Sequence, residues 1–331
     1  MRISLAIDAG GTSSRAAVLD PSGLCLGTGR ALGGNPTSSG IESAVEQISA
    51  AAAEALAAAG VRADAGSVVA ITQAGQVTTA YREQLLARFA PIGFDELVIE
   101  PDLLGMFGSG TPGLRGSVLI AGTGSVAGRV EDGALVREIG GAGWLLGDDG
   151  SGFWIARRVV RAVAADLDGL GPRTALTPLL TEALGISLDE APSEHRSNAL
   201  GSLIDHVYGD RPIALARFAP LAFAATGDDV AERILAEAVE KLAELLSAVH
   251  RPGPDVPVVV GGSVLVDGLL QHSGLARERL TAASGGARLV PVADGLVGAG
   301  TLALRRAGSV VDDDVFHRID DGVAPVRARR A

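Results

Sequence analysis

The sequence predicts an α/β protein of two lobes, each a mixed sheet flanked by helices. Three observations lead to this prediction. The 331 residues are too many for one ordinary core and enough for two domains. Strand-like and helical stretches follow one another in the order βββαβαβα in the first lobe. Two glycine-rich turns each follow an apolar run, one near residue 10 and the other near residue 123.

The glycine-rich turns are the strongest functional signal. The first is Ile7-Asp8-Ala9-Gly10-Gly11-Thr12, and the second is Ala121-Gly122-Thr123-Gly124-Ser125. Glycine lets the backbone approach an anion closely, so that free N–H groups can point at phosphate oxygens. Two such turns in one chain predict two lobes that hold a nucleotide in the cleft between them.

The first lobe is predicted to span residues 1–116. Apolar runs between turn residues predict strands, and an Ala-rich stretch that stops at Gly60 predicts a helix. The predicted elements are strands Ile3–Ile7, Arg15–Leu19 and Leu24–Thr28, a helix over 40–59, strand Val68–Thr72, helix Thr79–Phe89 and strand Glu96–Glu100. The glycine-rich stretch 108–116 is predicted to connect the lobes.

The second lobe is predicted to span residues 117–307 and to be mostly helical after its first hairpin. Its predicted helices are Phe153–Asp166, Ala175–Leu184, Ser193–Val207, Ile213–Ala225, Val230–His250, Gly268–Leu280 and Gly295–Ala307, and its later strands are Val256–Gly261 and Ala287–Pro291. Residues 308–331 form a polar tail that local patterns do not place.

Composition excludes several classes of protein. The formal charge of −11 argues against nucleic-acid binding, which needs a basic face. The lone Cys25 excludes an intrachain disulfide and suits a reducing cytoplasm. Met1 and Arg2 lead straight into a strand, so no signal peptide is expected, and no apolar run is long enough for a membrane span. The expected location is the cytoplasm.

Common phosphate-binding motifs do not fit. The P-loop needs a lysine after its glycines, but Lys241 lies in a predicted helix far from either turn. The Rossmann fingerprint needs Gly-x-Gly-x-x-Gly, whereas the second turn has glycines at 122, 124 and 128.

The chain resembles the actin/Hsp70/sugar-kinase superfamily, and more closely the N-acetylglucosamine kinase branch that also contains the BadF/BadG/BcrA/BcrD-type ATPases. Four segments, in the family's order, carry the resemblance: the two turns above, residues 140–152, and Val259-Val260-Gly261-Gly262-Ser263. The resemblance implies an actin-like ATPase fold (ribonuclease H-like). It also implies an enzyme that uses ATP and Mg²⁺ to phosphorylate the 6-hydroxyl of an amino sugar, and it makes a homodimer an expectation.

The resemblance also implies a nucleotide site, position by position. Asp8 would position Mg²⁺ through water, although an Asp here can also bond the amides of its own turn. The phosphates would be held by Gly10, Gly11, Thr12, Ser13, Ser14, Thr123 and Gly124. The adenosine would be held by Gly261, Gly262 and Ser263.

Catalytic and sugar-binding roles follow in the same way. Asp102 would take the proton of the sugar hydroxyl; it could also cap the helix that follows, and Glu100 is a rival base on the same strand. The sugar would be contacted by Asn35, Asp102, Ser125, Gly143, Trp144 and Asp148. Asn35 equally fits a plain turn residue before proline.

Two positions depart from the family pattern. N-acetylglucosamine kinases usually have Trp where Ala142 stands and a polar residue where Val126 stands, both near the expected pocket for the 2-substituent. N-acetylglucosamine is the first expected substrate and glucosamine the second. A free ammonium would need a carboxylate partner, which Asp149 or Glu100 would supply.

Two other classes remain open. An ATP-driven electron-transfer activator of the BadF type would share an iron–sulfur cluster between subunits, which one cysteine does not suit. A sugar-binding regulator would usually add a basic helix-turn-helix, and no such segment is expected before the first strand.

Overall fold

The computed structural model describes residues 1–75, 77–188, 197–253 and 256–328. In these ranges the strands form two mixed five-stranded sheets, with orders β3-β2-β1-β4-β5 and β10-β9-β6-β7-β8. The strands of the first sheet are β1 Ser4–Ala9, β2 Ser13–Leu19, β3 Cys25–Leu32, β4 Val68–Gln73 and β5 Glu96–Pro101. Those of the second are β6 Gly116–Ala121, β7 Ser125–Glu131, β8 Ala134–Gly140, β9 Val258–Gly261 and β10 Leu289–Pro291.

Helices flank both sheets. They are α1 Pro36–Ser39, α2 Ile41–Ala59, α3 Thr79–Phe89, α4 Asp102–Gly110, α5 Gly152–Leu167, α6 Leu176–Leu184, α7 Asn198–Gly209, α8 Pro220–Ala224, α9 Asp229–Val249, α10 Leu270–His272, α11 Gly274–Ala283, α12 Leu296–Arg306 and α13 Asp313–Ala328. A 3₁₀ turn over Pro212–Phe218 precedes α8, and a π-helical turn over Val264–Leu269 precedes α10.

The register of the first sheet aligns acidic positions. β1 pairs in parallel with β4, and β4 with β5, so that Asp8, Thr72 and Glu100 stand side by side. β1 also pairs antiparallel with β2, which sets Arg15 opposite Asp8. Because side chains alternate across a strand, these four side chains share one face of the sheet.

The chain divides into two compact units. Unit 1 comprises Met1–Val118, Arg129–Val136 and Val290–Ala331, and unit 2 comprises Leu119–Gly128 and Arg137–Leu289. Unit 1 has one apolar core where the sheet meets α2 and α3, and another where it meets α12 and α13. The core of unit 2 packs α5, α6, α7 and α9 around β6, β7 and β9.

Most predicted elements have structural counterparts, and the differences are informative. The glycine-rich stretch predicted as a connection starts inside α4, which runs to Gly110. The predicted helix Ile213–Ala225 is broken at Pro220 into the 3₁₀ turn and α8, since proline has no N–H to continue a helix. Of the predicted helix Ser193–Val207, positions 193–196 lie outside the described residues.

The tail that local patterns left unplaced contains helix α13. Its apolar side chains Phe316, Ile319, Val323 and Val326 are buried against the first sheet and α12. The predicted lobes therefore divide the chain differently from the compact units: the prediction gave 117–307 to the second lobe, whereas Val290–Ala331 belongs to unit 1. Among the described residues, no helix combines the length and the apolar character that a bilayer crossing requires.

Candidate nucleotide, metal and sugar sites

Asp8 is the central acidic group of unit 1. It ends a fully buried strand and is itself only 9% exposed. The hydroxyl of Thr72 donates to its Oδ1 at 3.4 Å, and Arg15 Nη1 lies 3.8 Å from its Oδ2. The amide of Gly295 also donates to this carboxylate. None of these three contacts is with a backbone amide of the turn that follows Asp8, which was the alternative role for this residue.

The pKa of Asp8 is raised to about 7. Burial is the largest cause, because it penalises the charged form, and the negative charge of Asp294 is the second. Arg15 and the Gly295 amide oppose the shift, and Asp102 adds to it. A buried carboxylate in this condition would gain from a nearby cation, which stabilises its charged form.

Asp294 adds a second buried carboxylate beside Asp8. It precedes α12, is 4% exposed, and accepts from the Leu296 amide at 3.1 Å. Arg327 Nε lies 3.2 Å from each of its carboxylate oxygens, and Arg15 Nη1 lies 3.9 Å away. Arg15 therefore stands between the two carboxylates, within 4 Å of both.

Asp102, the predicted base, begins α4 directly after β5. Its carboxylate accepts from the Leu103 amide at 2.8 Å, but the N-cap position of α4 is Pro101, so Asp102 is not the capping residue. It is near enough to Asp8 to raise the pKa of that group. Glu100, the rival, has a pKa raised by burial and opposed by Arg306.

The first glycine hairpin is tight, with the Gly10 amide donating to Ser13 O at 3.0 Å. Neither Gly10 nor Gly11 has a positive φ. A Cβ added at Gly11 would meet nothing within 4 Å. Packing among the described residues therefore does not require glycine at position 11.

The neighbouring polar residues of the hairpin lie in different surroundings. Thr12 is exposed, whereas Ser13 and Ser14 are buried. Ser14 Oγ is fully buried without a hydrogen-bond partner and lies under Gly34, on the sheet face opposite Asp8. Asn35 Oδ1 accepts from the Thr37 amide at 2.8 Å and so begins α1, as its turn alternative proposed. The structure thus brings Gly11 and Thr12 to the open side of the turn, and places Ser14 beneath it.

The residues around Asp8 fit magnesium. Mg²⁺ prefers oxygen ligands and usually binds one or two carboxylates together with phosphates and water. Asp8 supplies a buried carboxylate beside an exposed glycine turn, and Asp102 and Asp294 lie near it. No group of three acidic, His or Cys ligands that could hold a metal occurs in the described ranges.

The second hairpin lies at the start of α5 in unit 2. The amides of Gly152 and Phe153 donate to Gly122 O and Thr123 O at 2.8 and 3.2 Å. Gly122 has no positive φ, and a Cβ there would meet nothing within 4 Å. Gly122 and Thr123 instead line a cavity.

Ser125 and Asp148, two predicted sugar contacts, bond to each other. The Ser125 amide donates to Asp148 Oδ1 at 3.2 Å, and Ser125 Oγ donates to Asp149 O at 2.8 Å. Asp148 is buried, has a φ of 59°, and has a pKa raised first by burial. These bonds tie the glycine hairpin to the loop over 140–152.

The rest of that loop shapes a second, polar cavity of about 240 Å³. The Leu146 and Gly147 amides both donate to Gly143 O, and Gly143 has a φ of 81°. Trp144 is half-exposed and packs against Phe153 with ring centroids 5.5 Å apart. Trp144 and Asp149 line the cavity together with Arg157 and Arg158. Of the three predicted sugar residues in this loop, Trp144 lines the cavity, and Gly143 and Asp148 do not.

The cavity beside the second hairpin has a volume of about 520 Å³, within the usual range for small-ligand sites. Thr123 and Ser263, predicted for phosphate and adenosine, both line it. Gly262 has a φ of 88°, and a Cβ there would collide with Ala121 O, so glycine is required for this close approach. Gly261 ends β9 next to it.

Several lining residues escaped the sequence analysis. Asp267, Gly268, Gln271 and His272 follow Ser263 at helical spacing, which is a signal that could have revealed them. His272 Nε2 lies 3.1 Å from Glu232. In unit 1, Asp294 and Arg327 were also missed. Asp294 follows a strand and precedes a helix, as Asp102 does, but Arg327 has no local signal.

The paired sheets, the two hairpins and the acidic strand ends define an actin-like ATPase fold. The chain belongs to the BadF/BadG/BcrA/BcrD ATPase family, whose sequence model matches residues 5–303. This result confirms the resemblance and the fold class predicted from the motifs.

Two curated relatives are similar in sequence to this chain. The chain is 35% identical over 185 residues to the N-acetyl-D-glucosamine kinase of Dictyostelium discoideum, covering 52% of this chain but only 54%, about half, of that enzyme. It is 24% identical over 265 residues to glucosamine kinase GspK of Vibrio cholerae, covering 79% and 85% of the two chains.

A provisionally assigned N-acetylglucosamine kinase of Chromobacterium violaceum matches the structure with a TM-score of 0.73. The two are 24% identical, and the match covers 92% of this chain and 99% of that one. Likeness at this level of identity bears on the fold alone.

Proposed function

We propose that this chain is an ATP-dependent amino-sugar kinase that phosphorylates the 6-hydroxyl, with N-acetylglucosamine as the first expected substrate and glucosamine as the second. The observation that carries the proposal is the proximity of Asp102 to Asp8. One is a carboxylate at the start of a helix, suited to a base, and the other is a buried carboxylate beside a glycine turn, suited to a metal-bound phosphate.

In the proposed reaction, Asp102 accepts the proton of the 6-hydroxyl. The sugar oxygen then bonds to the γ-phosphorus while the bond to the ADP oxygen breaks. A base of this kind contributes about 10²–10⁴-fold to the rate. Magnesium would offset the charge that develops between the β- and γ-phosphates. Asp8 would hold that ion through water, and Gly10, Gly11, Thr12, Ser13 and Ser14 are proposed for the first phosphate turn, with the Ser14 hydroxyl the least accessible.

The nucleoside is assigned to the 520 Å³ cavity of unit 2. Thr123 and Gly124 would contact phosphates there, and Gly261, Gly262 and Ser263 would pass close to the adenosine. Asp267 joins this set because a carboxylate can accept both ribose hydroxyls. The edge of Phe223 faces His272, with centroids 5.8 Å apart, and adds an apolar wall suited to a base.

Sugar contacts are proposed for Asn35 and Asp102 in unit 1 and, separately, for Ser125, Gly143, Trp144 and Asp148 in unit 2. Because Ser125 and Asp148 already bond to each other, Asp148 would offer its second oxygen to a hydroxyl. The names of the relatives, a kinase for N-acetyl-D-glucosamine and one for glucosamine, support the class of amino sugars. Asp149, exposed on the polar cavity, remains the proposed partner for a free ammonium, with Glu100 as the alternative.

The proposal is tested by ADP release across glucosamine, N-acetylglucosamine, N-acetylmannosamine, N-acetylmuramic acid and glucose. Saturable ADP release with an amino sugar, and a 6-phosphate product identified by NMR, are expected. ADP release that is independent of every sugar would contradict the proposal. The variant Asp149→Asn separates the two leading substrates, because it should raise the KM for glucosamine and leave the KM for N-acetylglucosamine unchanged.

A further inference from the structure

We propose that Arg327, on the C-terminal helix α13, is a positioning residue for the metal carboxylate Asp8, and that it acts through Asp294 and Arg15. This inference rests on the proposed function, in which Asp8 holds magnesium. It gives the helix that local sequence patterns left unplaced a role in the active site of unit 1.

The first step is a continuous chain of opposite charges. Asp320 pairs with Arg327 within α13, and Arg327 Nε lies 3.2 Å from both oxygens of Asp294. Asp294 lies 3.9 Å from Arg15 Nη1, which lies 3.8 Å from Asp8. Positive and negative groups alternate from the C-terminal helix to the metal carboxylate.

The second step is that this series of charged side chains is largely shielded from water. Asp294 is 4% exposed, and the side chains of Arg15 and Arg327 are 23% and 21% exposed. The Nε of Arg15 is buried and has no hydrogen-bond partner. Charges in such surroundings interact more strongly than surface pairs, and a buried charge that loses its partner must find another.

The third step concerns the position of Arg15. With Arg327 present, Asp294 has a close cation of its own, and Arg15 is shared almost evenly between two carboxylates. Without Arg327, the buried Asp294 would draw the Arg15 guanidinium toward itself. Asp8 would then lose the cation that faces its Oδ2, and its carboxylate would no longer be held where the phosphate turn needs it.

Helix α13 also packs on unit 1 through contacts outside this series of charged residues. Those contacts provide a matched control. Arg318, also on α13, donates to Ser22 O and has no contact with Asp294. Four apolar side chains of α13 are buried in the core of unit 1. Arg318→Met therefore weakens docking without disturbing the charges, whereas Arg327→Met removes the charge that neutralises Asp294.

The experiment compares Arg327→Met, Arg327→Lys and Arg318→Met in two measurements. The first is the unfolding midpoint with ADP, with and without added Mg²⁺. The second is kcat and the KM for ATP across a magnesium titration. Arg327→Met should lose most of the extra stabilisation that Mg²⁺ gives to the ADP complex and should lower kcat roughly 10–100-fold. Arg318→Met should lower only the midpoint of the free protein, and Arg327→Lys should recover part of the loss.

Three results would overturn the inference. One is an Arg327→Met protein that matches Arg318→Met in both measurements. Another is an Arg327→Lys protein no better than Arg327→Met, because charge is then not the cause. If Arg327→Met does not fold, the neutral variant Arg327→Gln replaces it, and wild-type behaviour of Arg327→Gln in both measurements decides against the inference.

The outcomes also separate this inference from the proposed function. If Mg²⁺ stabilises the ADP complex of the wild type but no amino sugar is phosphorylated, the proposed substrate is wrong. The unfolding midpoints of the variants then still test the role of Arg327. A wild-type protein whose ADP complex does not respond to Mg²⁺ overturns the metal assignment and this inference together.

Discussion

Asp8 shows how a single residue can be costly to the fold. Its pKa rises from 3.8 to about 7, chiefly because the carboxylate is buried. The folded protein therefore binds a proton that the unfolded chain releases, and the free energy of unfolding falls as the pH rises from about 4 to about 7. Without a bound metal ion, the charged form of Asp8 therefore lowers the free energy of unfolding at neutral pH.

We expect Asp8→Asn to be more stable than the wild type at pH 8 in the presence of a chelator. The advantage should shrink steadily toward pH 4, because the wild-type side chain is then neutral as well, and it should amount to on the order of 4 kcal/mol over this range. Urea unfolding across the pH series measures it, with the exposed Asp168→Asn as control. Parallel pH curves for the wild type and Asp8→Asn would show that Asp8 is not the buried acid described here.

Asp102 and Glu100 offer a second comparison at this scale. They lie two residues apart, but Asp102 begins a helix and Glu100 stands in the row of Asp8 and Thr72. We expect Asp102→Asn to lower kcat by about 10²–10⁴-fold while ADP still binds, since the amide cannot accept the hydroxyl proton. Glu100→Gln should keep most of the turnover. Steady-state kinetics with calorimetric ADP binding measures both, and the reverse order of effects would move the base to Glu100.

At the first glycine hairpin, two glycines differ in how closely the surrounding residues pack on them. Gly11 has room for a methyl group and a backbone conformation open to other residues, whereas a Cβ at Gly33 would collide with Gly11 O. Gly33, which follows β3, is therefore required by its close approach to Gly11, whereas packing does not require glycine at position 11 itself.

We expect Gly11→Ala to leave the unfolding free energy within about 0.5 kcal/mol of the wild type, because nothing in the fold contacts the new methyl group. The KM for ATP should rise roughly tenfold, since the methyl would stand where the phosphates approach. Gly33→Ala should lower the unfolding midpoint. Thermal unfolding and a KM determination test the pair, and an unchanged KM for Gly11→Ala would remove this turn from the nucleotide site.

The sequence predicts a helix or strand well where the spacing of its apolar residues and the residues at its ends indicate the same element. The helix Thr79–Phe89 coincides with α3, and the Ala-rich helix that stops at Gly60 is α2, ending in a left-handed glycine. Helix α13 was missed because its acidic start and Pro325 obscure an apolar stripe that only the sheet and α12 complete. Ser14 illustrates the corresponding limit for a site: its motif is correct, but the alternation of β2 turns its side chain away from Asp8.

At the scale of the whole molecule, sequence distance hides the acidic site. Asp8, Asp102 and Asp294 are far apart in the sequence. They lie near one another in unit 1 because β1, β4 and β5 are parallel and because α12 and α13 pack on their sheet. The motifs near residues 8 and 102 are local and could be predicted. The arginine that neutralises Asp294 could not, because the contact spans 33 positions and follows from the packing of an entire helix.

The cysteine content of the whole sequence does not favour an electron-transfer activator. Iron–sulfur clusters are held by several cysteine thiolates, and the chain has one cysteine. Cys25 is half-buried on β3, its thiol donates to Gly27 O at 3.6 Å, and a Cβ added at Gly322 of α13 would collide with the Cβ of Cys25.

We therefore expect the purified protein to hold no stoichiometric iron and to phosphorylate its sugar in air without a reductant. Cys25→Ser should retain wild-type kcat, because the proposed chemistry needs no thiol, and a modest fall in the unfolding midpoint would report only the loss of a packed sulfur. Metal analysis by mass spectrometry and aerobic kinetics on both proteins give the answer. An iron content near one atom per chain or higher that disappears in Cys25→Ser, together with ATP hydrolysis that requires a reductant, would replace the kinase with the activator.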